Sequence, residues 1–268
     1  MRARAVPISV TVNIDGVGTA IDKAVERLDA GFGFCFYTLN LDHLSTLPWS
    51  VEFAQAYRSA ELVSADGWPV VWLLQRQGVE VTRTTGADLI EPMCAAAARE
   101  GFGVYFVGPG EASQARAIET LRTRCAGLNV VGAECPSLSD EADQDTLSQL
   151  AKRISDSGAR LCILSLGSPK QELIAYRMRS LCPEVGLIGV GAGMDFISGL
   201  AVRAPAHMQR WRLEWLWRLM SHPKRLAPRY WRCGTFFAGV LLRGLVDRSE
   251  FSIVQGANAR GRHAPEAR

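Results

Sequence analysis

The run Gly167-Ser168-Pro169-Lys170-Gln171-Glu172 sets a cation, an amide and a carboxylate side by side behind a tight turn. At a helix start such a cluster lies among free N–H groups and the positive end of the helix dipole, which together attract anions such as phosphate. Ser168 and Gln171 also fit a capping box, which needs no ligand. Asp66, directly before Gly67, can exchange a proton in acid–base chemistry or can cap a helix. Thr38 and Asn40 stand two apart, so on a strand they share a face. They suit the hydroxyls of a sugar, or a turn of their own chain. Arg83, three residues before Gly86, offers a cation to a bound anion or to solvent.

Weaker signals accompany these. Gly108-Pro109-Gly110 and Gly189-Val190-Gly191-Ala192-Gly193 follow apolar runs, where a backbone can approach a ligand closely. The second is G-x-G-x-G and lacks the spacing of a dinucleotide fingerprint. Asp143-Gln144-Asp145 has the D-x-D spacing that can hold a metal on a nucleotide diphosphate. It lies in an acidic run, however, and reads as a solvated helix start. His43, His207, His222 and His263 lack ligand spacing, so no metal centre and no cofactor is expected.

The elements that must position these residues alternate. Strands are expected at Ile8 to Val12, Phe34 to Asn40, Leu62 to Asp66, Val104 to Val107, Asn129 to Gly132, Leu161 to Leu166 and Val185 to Val190. Helices are expected at Gly18 to Ala30, Pro48 to Ser59, Pro69 to Gln77, Ala87 to Glu100, Ala112 to Arg124, Thr146 to Ser157 and Pro169 to Leu181. Ser168 is the expected cap of the last of these. Such alternation predicts an α/β fold, a Rossmann-like, mostly parallel sheet flanked by helices. Asp66 and the Gly167 turn then fall at carboxyl ends of strands, where open α/β sheets bind ligands.

After Gly199 the pattern changes to a helical appendage. One helix is expected over Ala206 to Met220, Pro223 and Pro228 interrupt the next stretch of chain, and an apolar helix is expected over Thr235 to Val246. The division is residues 1–200 for the α/β domain, 201–250 for the appendage and 251–268 for an unstructured tail. Between Arg203 and Arg232 eight basic residues are opposed only by Glu214, with four tryptophans among them. Trp211, Trp215, Arg218 and His222 recur at helical spacing, as do Arg210 and Trp217, and aromatic and basic residues together suit a surface of anionic headgroups. The same helix can instead pack its tryptophans on the domain.

Across its 268 residues the chain has a net charge of +3, which does not call for nucleic acid. Its seven cysteines are scattered and lack a C-x-x-C pair, as expected of reduced thiols in a cytosolic protein. No signal peptide or bilayer-length apolar stretch is visible, which predicts a soluble or peripheral protein.

In order along the chain, Thr38-Leu39-Asn40, Ala65-Asp66-Gly67, Arg83-Thr84-Thr85-Gly86-Ala87-Asp88 and the Gly167 to Glu172 motif are followed by Gly189-Val190-Gly191-Ala192 and Arg203-Ala204-Pro205. Leu213 to Leu219 and Arg229-Tyr230 complete the set. This set resembles the WecG/TagA/CpsF family of bacterial glycosyltransferases (glycosyltransferase family 26) over about Val10 to Tyr230. The resemblance implies inverting, metal-independent transfer of a sugar, N-acetylmannosamine-type or a related hexose. The donor would be a UDP-sugar and the acceptor an undecaprenyl-diphosphate-linked sugar at the inner membrane face, in surface polysaccharide or teichoic acid synthesis. It implies Asp66 as general base and Thr38, Asn40, Arg83 and Gln171 as pocket residues. Arg210, Arg218, Arg225 and Arg229 would meet the lipid diphosphate, and self-association would be common. The rival readings are a nucleotide-binding oxidoreductase or epimerase built on the Gly189 turn, and a catalytically silent membrane-surface scaffold.

Overall fold

All six residues of Phe34–Leu39 are buried, as are those of Gly103–Val107 and Gly186–Gly189. A strand apolar on both faces must be covered on both, which is the condition of a parallel sheet between two helical layers. A computed structural model describes residues 8–139, 142–211, 213–243 and 251–255 of the chain. In chain order the elements are β1 (Ile8–Val12), α1 (Gly16–Asp29), β2 (Phe34–Leu39), α2 (Leu41–Thr46), a 3-10 turn (Leu47–Trp49), α3 (Val51–Ser59), β3 (Leu62–Ala65), α4 (Trp68–Gln75) and α5 (Gly86–Glu100). They continue with β4 (Gly103–Val107), α6 (Glu111–Arg124), β5 (Val130–Glu134), α7 (Gln144–Asp156), β6 (Ala159–Leu164), α8 (Lys170–Met178), β7 (Gly186–Gly189) and α9 (Gly193–Ile197). The chain ends with α10 (Ala206–Arg210), α11 (Glu214–Ser221), α12 (Pro223–Arg243) and β8 (Phe251–Gln255).

Six strands pair in the order β3-β2-β7-β6-β4-β5, every neighbour parallel. The expected Rossmann-like α/β arrangement is therefore what the chain adopts. Phe53 and Tyr57 of α3, Val70 and Leu74 of α4, Leu147 and Leu150 of α7 and Ile174 of α8 fill one face. Ala20 and Ala24 of α1, Leu89 and Met93 of α5 and Ala117 and Leu121 of α6 fill the other. Because all six strands run the same way, their carboxyl ends share one edge, and the loops after them are tied together there. The Asp66 N–H donates to the Leu39 carbonyl at 2.7 Å, that of Thr84 to Ala65 at 2.8 Å and that of Val190 to Leu164 at 2.9 Å.

Several expectations are corrected. The helix expected over Ala206 to Met220 is two, α10 and α11, broken between them. Pro223 starts α12 rather than interrupting a helix, and α12 continues through Pro228 to Arg243. Within α12, Phe236, Phe237 and Val240 pack on the first core, and that burial outweighs the proline. Residues 251–255, assigned to an unstructured tail, pair in parallel with β1. Phe251, Ile253 and Val254 are residue types that favour strands; residues 256–268 lie outside the described residues, as do 244–246.

One close approach matters for the site. A Cβ on Gly86, the first residue of α5, would stand 2.8 Å from Val190 Cα and 2.9 Å from its carbonyl oxygen, both backbone. Gly86→Ala should therefore lower stability by about 1–3 kcal/mol, the usual scale of overpacking. Gly18→Ala, inside α1 with nothing within 4 Å, should be neutral or stabilise by up to about 1 kcal/mol. Urea midpoints of the two variants check the contrast.

Candidate active site

Asp66 follows the last residue of β3, and its own backbone N–H closes onto β2. It does not cap α4: Gly67 does, at a φ of +93 that suits glycine. The carboxylate keeps partial solvent contact yet sits among protein atoms. Burial pushes its pKa from the ordinary carboxylate range up to about 7, against the pull of Arg218 and Arg83 and with the help of Glu214 and Asp88. A carboxylate poised there can accept a proton at neutral pH.

Its charged neighbours form a ladder of alternating sign. Arg203 Nη2 donates to Asp88 Oδ1 at 2.8 Å. Asp88 Oδ2 lies 3.8 Å from Arg83 Nη2, and Arg83 Nη1 lies 3.8 Å from Glu214 Oε2. Glu214 Oε1 accepts from Arg218 Nη2 at 2.9 Å, and the Arg218 guanidinium stacks 5.1 Å from the Phe196 ring centre. Burial alone would raise the pKa of Asp88, but hydrogen bonds from Arg203 and Thr85 and the charge of Arg83 hold it below the usual range. Thr85 caps α5 by accepting from the Asp88 N–H, so Gly86 and Asp88 start that helix together. Arg83 is thus not a free surface cation but the middle rung of the ladder.

A second, buried group lies at the neighbouring strand ends. Thr38 is buried on β2. Asn40 caps α2, its Oδ1 accepting from the N–H groups of Asp42 and His43, while its Nδ2 faces His43 Nε2 at 3.2 Å. His43 Nδ1 and the Tyr57 hydroxyl are 2.5 Å apart, and His43 Nε2 is 3.8 Å from Glu172 Oε1. Burial lowers the pKa of His43, and the Glu172 and Asp42 charges only partly offset it, so the ring is neutral at pH 7.

The anticipated capping box at Ser168 is not formed. Pro169 takes the cap position of α8 with no side-chain cap bond, because Gln171 is engaged elsewhere. Its Nε2 donates to Glu172 Oε1 at 2.8 Å, and its Oε1 accepts the Gly191 N–H at 2.9 Å. Gly189 leaves just enough room for that side chain, since a Cβ there would meet Gln171 Nε2 at 2.9 Å. Asp143, from the D-x-D spacing, caps α7 through Thr146, as expected of a solvated helix start. Among the described residues no group of three or more His, Cys, Asp or Glu is gathered as metal ligands.

The structure therefore brings Thr38, Asn40, Asp66, Arg83 and Gln171 to one edge of the sheet, with Arg218 reaching it through Glu214. Arg229 turns to the domain as well, pairing with Asp42 Oδ2 at 3.0 Å beside Arg232 on Oδ1 at 2.6 Å. Arg210 is exposed and is not part of this cluster. The side chain of Arg225 lies outside the described residues. Sequence reasoning missed His43, Tyr57 and Asp42 as site residues, and it named Arg203 and Glu214 without their partners. Only Asp42 and His43, directly behind Asn40, had a signal in their positions.

A six-stranded parallel sheet between two helical layers, with Asp66 and a ladder of guanidinium groups at its carboxyl edge, is an α/β arrangement of the Rossmann-like kind. The chain belongs to the glycosyl transferase WecG/TagA/CpsF family, whose model matches residues 7–250. Membership makes it a transferase of sugars, and the family implies in general a nucleotide-sugar donor and a glycolipid-type acceptor.

The raised pKa of Asp66 has a stability consequence. The folded form holds its proton up to about pH 7 and the unfolded form only to about pH 4, so this group's contribution is present below pH 4 and is lost as pH rises through 7. Asp66→Asn, which cannot ionise, should be more stable than wild type at pH 8 by on the order of 1–3 kcal/mol after solvent screening. At pH 4.5 the gain should shrink to a small fraction, as thermal melts at the two pH values would show.

Proposed function

We propose that the protein is an inverting, metal-independent transferase that moves a sugar from a UDP-sugar to a polyprenyl-diphosphate-linked sugar. Residues 1–200 form its catalytic domain and residues 201–250 its lipid-acceptor appendage. The observation that carries this reading is Asp66: a carboxylate at a strand end with a pKa of about 7, flanked by the guanidinium groups of Arg83 and Arg218. The acceptor hydroxyl oxygen bonds to the anomeric carbon as the bond from that carbon to the UDP oxygen breaks. The hydroxyl proton passes to Asp66, and the bonding pair leaves with UDP. Single displacement from the opposite face inverts the centre. Arg83 and Arg218 stabilise the charge gathering on the departing diphosphate, as oriented donors do in a partly dehydrated site. Thr38 and Asn40 line the sugar side. Gln171 holds the Gly191 turn against the site, and an N-acetylmannosamine-type donor fits the family resemblance.

The oxidoreductase or epimerase reading has little room, because the Gly189 turn is occupied by its own protein. Gln171 takes the Gly191 N–H, and a Cβ on Gly193 would meet Ile90 Cδ1 at 2.5 Å. With EDTA present, UDP release from a panel of UDP-sugars should depend on a polyprenyl-diphosphate N-acetylglucosamine acceptor. Asp66→Asn should lower it by about 10²–10⁴-fold, the scale of a lost general base. Equal release by the variant would remove Asp66 from the role, and no release by wild type would favour the scaffold reading.

We further propose that the appendage rests on the inner face of the membrane. Trp211, Trp231 and Met220 are 70%, 78% and 70% exposed among the basic residues of α10 to α12, a composition that suits an interface with anionic lipid. Among the described residues no helix is long and apolar enough to cross a membrane. Trp211→Ser with Trp231→Ser should reduce co-sedimentation with anionic vesicles severalfold, at unchanged melting temperature.

A further inference from the structure

Arg83, Arg203 and Arg218 each face a carboxylate of the protein itself, and the three pairings differ in kind. Arg203 is tightly bound to Asp88 at 2.8 Å. Arg83 is held by two contacts at 3.8 Å, ion-pair distances beyond hydrogen bonding. One of those contacts is Glu214, whose other oxygen binds Arg218 at 2.9 Å. Glu214 thus gives one oxygen to each of two guanidinium groups, from chain positions 83 and 218, next to Asp66. A carboxylate and a phosphate are alternative partners for such groups, since both present paired oxygens to a planar fork of N–H donors.

We propose that Glu214 is a positioning residue that stands in for the donor diphosphate, holding Arg83 and Arg218 together beside Asp66 until a nucleoside diphosphate takes its place. The inference rests on the reading of this edge as a UDP-sugar site. It explains why the one acidic residue of the basic stretch points into the mouth instead of toward solvent. It also gives the appendage a part in arranging the site, because Glu214 is the first residue of α11.

The groups facing Asp66 fix the sign of a second effect. They are Tyr57 from α3, Arg83 and Asp88 before and within α5, and Glu214 and Arg218 from α11. Glu214 opposes ionisation of Asp66 directly and also holds the two cations that favour it. Exchange of Glu214 for a diphosphate keeps an anion at that point, so the pKa of Asp66 stays in the neutral range and its ionised form remains a base strong enough to take the hydroxyl proton.

The test is Glu214→Gln, an isosteric change at a partly exposed position, with Glu214→Asp as the charge-retaining control. UDP is the probe, by titration calorimetry. Glu214→Gln should bind UDP about three- to tenfold more tightly, the scale of one partly exposed charge pair. The acidic limb of its kcat/KM profile should move down by about half to one pH unit, as loss of a neighbouring like charge requires. Glu214→Asp should stay near wild type in both. A merely structural Glu214 would weaken UDP binding and leave the acidic limb in place, and that result overturns the proposal. Unchanged UDP affinity overturns it too, while the Asp66→Asn assay still upholds the transferase. Wild-type protein that binds no UDP removes both readings.

Discussion

The cost of ionising a carboxylate among protein atoms governs the arrangement of this site. Asp66 lies where parallel strands end, a position that brings backbone and loops close on several sides and excludes much of the water that would solvate a charge. Burial, unopposed, favours the protonated form of the carboxyl. Arg218 and Arg83 bring it back to about 7. Guanidinium groups gathered in one mouth repel each other in turn, and Asp88 and Glu214 answer that repulsion by sitting between them. The alternating ladder from Arg203 to Arg218 is thus a consequence of one buried acid. Its five rungs come from four places: the segment after α9, α5, the loop before α5, and α11, which supplies both Glu214 and Arg218.

Beneath that ladder the chain buries polar groups that touch no cation. Glu172 is fully buried, and its Oε2 has no hydrogen-bond partner, a state that costs free energy unless neighbours compensate. Its Oε1 accepts from Gln171, the Tyr37 hydroxyl donates to its backbone carbonyl at 3.0 Å, and His43 stands near. The return on this arrangement is placement: α2, α3 and α8 meet at His43, Tyr57 and Glu172, and Gln171 fixes the turn after β7. The Gln171 to Gly191 bond thus ties the first turn of α8 to the loop after β7.

Much of the fold was legible because fully buried parallel strands read as unbroken apolar runs, and Phe34 to Leu39 or Leu161 to Leu164 admit few other assignments. Asp66 was legible as a strand-end acid, with capping as its rival; the backbone decided the matter by placing Gly67 at the cap. The Gln171 motif was legible as a helix start, but the partner of its side chain lay twenty residues away at Gly191. His43, Tyr57 and Glu172 could not be grouped beforehand, since they converge from three helices whose packing no local spacing encodes. The appendage was read through its prolines. Pro223 was a true boundary, whereas Pro228 sits inside a helix held by contacts of Phe236 and Phe237 with the domain. Propensity there yields to burial.

The division into domain and appendage has a physical qualification in the ion pairs that cross it. Arg229 and Arg232 clamp α12 to Asp42 of α2, whose cap is Asn40, while Glu214 joins α11 to Arg83. Met220 of α11 and Trp231 of α12 are exposed, as is Trp211 just after α10. A helix that presents aromatics outward and charges inward couples its two faces, because a tilt that improves one contact shifts the other. Of the appendage groups on this seam, Glu214 and Arg218 are the ones whose charges also bear on the pKa of Asp66. The ties are of unequal reach: α11, eight residues long, is joined through Glu214 at its start, whereas the 21 residues of α12 are held along their first half by Arg229 and Arg232, so the shorter helix has fewer contacts to fix its tilt.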